Sequence, residues 1–103
     1  MDIRHQSKEA LKELRGIMLG SKVTLIDGNQ TVLIRHEIVT DRGAAFIIQK
    51  LNPRKDSRVK VENGSAIEYP KIPADIMVTF RGILKSSNAD NGWLRLEDAE
   101  RIS

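Results

Sequence analysis

The stretch Lys22-Val23-Thr24-Leu25-Ile26-Asp27-Gly28-Asn29-Gln30-Thr31-Val32-Leu33-Ile34-Arg35-His36-Glu37-Ile38-Val39-Thr40 decides the fold class. Two runs rich in Val, Ile, Thr and Leu flank Asp27-Gly28-Asn29, residue types that accept the positive φ a tight hairpin needs. The pattern predicts strands over Lys22 to Asp27 and Thr31 to Thr40. On a period of two, His36 falls on one face of the second strand and its neighbours Arg35 and Glu37 on the other.

The same grammar continues downstream. Asp41-Arg42-Gly43 turns the chain into a strand over Ala44 to Leu51. Arg58-Val59-Lys60-Val61-Glu62 alternates polar and apolar residues, so Val59 and Val61 are expected to face inward before an Asn63-Gly64 turn. Tyr69-Pro70-Lys71-Ile72-Pro73 reads as an extended crossover, because two prolines remove two ladder donors. Ile76, Val78 and Phe80 then alternate inward, and Gly82 allows a bend or bulge before Ile83-Leu84. A polar loop from Ser86 to Gly92 leads to Trp93-Leu94-Arg95-Leu96, with Leu94 and Leu96 on the core face and Trp93 turned outward.

Upstream, the reading changes. Ser7 is a good helix cap, and Leu11, Leu14, Ile17 and Met18 recur at helical spacing. A helix is predicted from Lys8 to about Leu19, with Gly16 costing about 1 kcal/mol relative to alanine and Gly20 as the left-handed stop. The expected fold is mainly β: an N-terminal helix followed by an antiparallel meander that forms a small barrel or strongly bent sheet. SH3-like, Sm-like and oligonucleotide-binding barrels are the candidates, since closing a sheet protects its edges.

A chain of 103 residues accommodates one such domain, and its 40% hydrophobic content suffices for a core. There is no cysteine, which removes thiolate nucleophiles and zinc-thiolate sites. The start lacks the basic and apolar pattern of a secretory signal, so a cytoplasmic location is expected. Its longest apolar runs, such as Ala44 to Ile48, fall far short of the roughly 20 residues that span a bilayer, and no membrane association is predicted.

The chemistry-bearing residues are sparse. His36 stands without a Cys, His or Asp cluster and is expected to be a satisfied histidine at the edge of the core. Glu97, Asp98 and Glu100 form the one acidic cluster, which reads as a solvated strand end. No phosphate-cradling glycine loop or nucleophile elbow is present. The sequence therefore predicts a non-catalytic binding module that needs no cofactor or metal.

Charge points to a partner. Lys50, Arg54, Lys55, Arg58 and Lys60 lie within eleven residues against Asp56 alone, whereas Asp90 to Ser103 holds four acids against Arg95 and Arg101. Opposite fields at the two ends of the domain are expected. The five cations would project from a rim where nucleic-acid phosphates can approach. Trp93, Tyr69, Phe46 and Phe80 are the available stacking platforms, few for a single-strand binder. A protein-interaction or homo-oligomeric module is the alternative, with strand edges and an outward Trp93 as the partner contact, unless the N-terminal helix covers that ring.

Phe80 to Ala99 resembles the first motif of Sm-like RNA-binding proteins, a Gly-x-Leu strand, a loop, and a Leu-x-Asp-Ala ending. Gly82, Leu84, Leu96, Asp98 and Ala99 match it. Asn88 stands in the place of the family's aspartate, and Trp93 falls where the family has its asparagine. The family's second motif, an Arg-Gly pair on a later strand, is absent. The resemblance implies a ring oligomer that binds uridine- or adenine-rich RNA, and it carries no binding residue over.

Overall fold

A computed structural model describes residues 11–86 and 93–103, with the side chain of Ser86 excepted. Among the described residues seven strands follow one another: β1 (Leu11–Ile26), β2 (Thr31–Thr40), β3 (Gly43–Leu51), β4 (Lys60–Glu62), β5 (Ser65–Glu68), β6 (Met77–Ser86) and β7 (Leu94–Arg101). Five of them close into a barrel in the order β1-β2-β3-β7-β6, and β4 and β5 form a separate hairpin. The sheet is not a pure meander. β3 and β7 run parallel, pairing Ala45 with Leu94 and Ile47 with Leu96, because the chain crosses the barrel between β3 and β6.

The expected N-terminal helix is absent from Leu11 onward, and Lys8 to Ala10 lie outside the described residues. Leu14 and Met18 explain the misreading, since a separation of four satisfies both a helical face and one face of a strand. The residues that would distinguish the two favour the strand. Leu11 is 63% exposed, and Leu14, Gly16 and Met18 are buried in strict alternation. Leu19 is then an extra residue: Met18 pairs with Ile38 and Gly20 with Glu37, a bulge that passes the inward role to Ser21, Val23 and Leu25.

Gly16 is neither a helix defect nor a spacer. A Cβ there would lie 2.4 Å from the Val39 carbonyl oxygen, so the coiled β1 needs a glycine where β2 passes over it. Gly20 does not adopt the left-handed conformation expected of a helix stop; among the described residues the positive-φ glycines are Gly28, Gly43 and Gly64. Gly82 does mark a bulge, between Arg81 and Ile83 on β6, and its absent side chain lets the Glu97 carbonyl approach.

Two apolar clusters fill the barrel. One joins Leu14, Met18, Ile38, Ile47, Phe80 and Leu96 with Ile72, which the crossover tucks into the core. The other gathers Val32, Ile34, Leu51 and Val59, with Val61 and Ala66 of the β4–β5 hairpin and Tyr69 closing over it. Val59 is buried but precedes β4, and Ile76, expected inside, is 36% exposed just before β6.

Candidate nucleic-acid interface

His36 lies between the clusters, as Ile34 belongs to one and Ile38 to the other. It is fully inaccessible. Its bonds go to side chains rather than backbone: Gln49 Oε1 is 2.8 Å from Nε2, and Ser21 Oγ is 2.7 Å from Nδ1. Nε2 then carries the proton and Nδ1 accepts from the serine hydroxyl. Its ring stacks on Phe80 at 5.2 Å. Burial holds the imidazole below its ordinary 6.5; the bond to Gln49 opposes this, and the Arg101 charge adds to it. Such a residue is structural, with no access for a substrate.

The outward side of the same strands is different. Alternation along β2 and β3 turns Arg35 and Phe46 to the surface, where both are half-buried. The Arg35 guanidinium carbon sits 4.7 Å from the centre of the Phe46 ring, and Trp93 stacks on Phe46 with centroids 4.3 Å apart. Trp93 is therefore half-covered by β3, in place of the expected helix. Arg35 and Phe46 meet through the β2–β3 hairpin that the sequence predicts, whereas Trp93 joins them because β7 lies beside β3, a neighbour relation that the sequence does not reveal.

Phe46, Ile48 and Lys50 lie on one outward row that runs into the basic loop. The loop is held by turns: Lys55 and Asp56 donate backbone N–H bonds to the Asn52 carbonyl, and the Asn52 side chain accepts from the Arg54 N–H at 2.9 Å. Arg54 and Lys55 are exposed, and neither they nor Lys50 have an ion-pair partner among the described residues. Arg54 and Lys60 line an open groove of about 590 Å³ beside the Gly28-Asn29-Gln30 turn, while Lys50 lines a separate hollow with Arg95 and Glu97.

The other two cations are partly neutralised. Arg58 pairs with Asp56 at 2.7 Å and lies 3.7 Å from Glu100, and Lys60 is 4.0 Å from Glu62. Bonds from the Arg58 side chain and backbone draw the Asp56 carboxyl down from 3.8 to about 2, so its charge persists at any ordinary pH. The expected separation of fields is corrected as well: Glu100, from the acidic end, sits beside the basic loop. Glu97 faces Arg95 at 3.2 Å, and no three metal-type ligands converge among the described residues. Of the Sm-like stretch, residues 87–92 lie outside the described residues.

No protein-family model, curated protein or solved structure matches this chain.

Proposed function

We propose that this barrel is a non-catalytic module that binds single-stranded nucleic acid across the outward face of β2, β3 and β7 and the adjoining basic loop. The observation that carries the reading is the Arg35–Phe46–Trp93 stack on the same outward face as Lys50. With Trp93 stacked on Phe46 and the Arg35 guanidinium over the same phenyl ring, the surface offered to a base is the outer indole face, with a cation at hand. From Phe46 to Lys50 is about 13 Å along the strand, so stacked bases and backbone phosphates can be held at once.

The strand order supports the same reading. A five-stranded barrel with a parallel contact between its third and last strands has the order of Greek-key oligonucleotide-binding barrels. That feature favours this kind over the SH3-like and Sm-like barrels. Fold alone would not assign the function, and the stack and the three cations with no ion-pair partner among the described residues are what add to it.

The test is fluorescence anisotropy of a labelled single-stranded oligonucleotide against salt. Three phosphate contacts from Lys50, Arg54 and Lys55 predict a log–log slope of about −2, reduced to about −0.7 when Arg54 and Lys55 become alanine. Phe46→Ala should weaken binding by about tenfold or more at every salt concentration. Arg58→Ala should do less than either, since Asp56 already engages that guanidinium. Absence of binding at low salt, or indifference to both substitutions, would refute the proposal.

A further inference from the structure

β1 pairs with β6 from Leu11 to Ile17 but with β2 only from Ile17 onward. Gly16 abuts the backbone of Val39 and Thr40 at the end of β2, and the segment preceding it has one side with no paired strand among the described residues. An open cleft of about 410 Å³ runs along that side, lined by Glu13, Arg15 and Gly16 and walled by Thr40, Asp41 and Arg42. An unpaired edge is a template for a further strand, and natural barrels otherwise leave none.

We infer that this edge pairs antiparallel with the same edge of a second copy of the chain, forming a twofold dimer centred on Leu14. The charges select both the occupant and the register. Glu13 and Arg15 are exposed on the outward face, two residues apart. In the register that places Leu14 beside its own symmetry mate, each Glu13 lies opposite Arg15 of the second copy. Sliding by one pair in either direction sets Glu13 against Glu13 or Arg15 against Arg15, which repel.

The monomer leaves this arrangement half made. Arg81 of β6 already reaches Glu13 at 3.2 Å, whereas Arg15 has no ion pair among the described residues. The dimer completes a row of alternating sign, from Arg81 through Glu13 to Arg15 of the second copy. Leu11, 63% exposed, is carried toward the end of the second copy's β2, where Val39 is 43% exposed. So short a ladder makes a small interface, with an expected dissociation constant on the order of 10 to 100 μM.

Sedimentation velocity without nucleic acid tests this independently of the proposed ligand. Wild type should be dimeric at about 1 mM, and Arg15→Glu and Glu13→Lys should each be monomeric with unchanged circular dichroism. Mixing the two variants should restore a dimer, because both acidic side chains of the first variant then meet basic side chains of the second. The assignment is overturned by a wild type that stays monomeric, by an Arg15→Glu variant that stays dimeric, or by a mixture that remains monomeric.

Discussion

Gly16→Ala is expected to destabilise the protein by about 2–4 kcal/mol, while Gly20→Ala, four residues on, leaves stability within about 0.5 kcal/mol. The added methyl at position 16 would lie 2.4 Å from the Val39 carbonyl oxygen and 2.8 Å from its carbon. Those are backbone atoms in a paired strand, and they cannot rotate out of the way as a flexible side chain could. At Gly20 nothing lies within 4 Å and φ is not positive, so the methyl has room and no conformational penalty. The sign is the discriminating feature. A helix through this segment would gain about 1 kcal/mol from Gly16→Ala. Urea titration followed by Trp93 fluorescence measures it, and a stabilised Gly16→Ala variant would remove β1 as described.

The contrast between those glycines marks how far the sequence could be read. β2 was legible to the residue, because Thr31 to Thr40 alternates cleanly and is bounded by two turns whose residues accept positive φ, as at Asp27, Gly28 and Gly43. The second half of β1 was legible too, as the strand over Lys22 to Asp27, but its first half was not, since Leu14 and Met18 fit either period and the Lys-Glu-Leu composition around them favours a helix in isolation. What overrides that preference is non-local: pairing with β6 on one side and β2 on the other. The candidate site followed the same division. The cations of the 50–60 loop and the Asp56 that engages Arg58 were visible as a local run, but the approach of Glu100 to Arg58 and the stacking of Trp93 on Phe46 depend on strand order. The parallel β3–β7 contact that brings Trp93 onto Phe46 is set by where the long β3–β6 connection returns the chain to the barrel, which no local pattern specifies.

Lowering the pH from 7 to 5.5 is expected to weaken the fold through His36, with a slope approaching at most about 1.4 kcal/mol per pH unit. The imidazole is fully inaccessible, and its folded-state pKa lies below 6.5, while the unfolded chain takes up a proton near that value. The unfolded state thus binds more protons as pH falls through 6.5, which draws the equilibrium toward it; the contribution is fully present above that pH. His36→Leu should cost about 2–4 kcal/mol at pH 7.5, because it leaves the buried Gln49 amide and the half-buried Ser21 hydroxyl without their partner. The variant has no group to titrate at this position. Its stability should therefore be flatter over the same range, and the gap between it and wild type should narrow toward pH 5.5. Urea midpoints at half-unit pH steps provide the comparison, and parallel curves for the two proteins would mean that the Ser21–His36–Gln49 bridge does not hold a neutral imidazole.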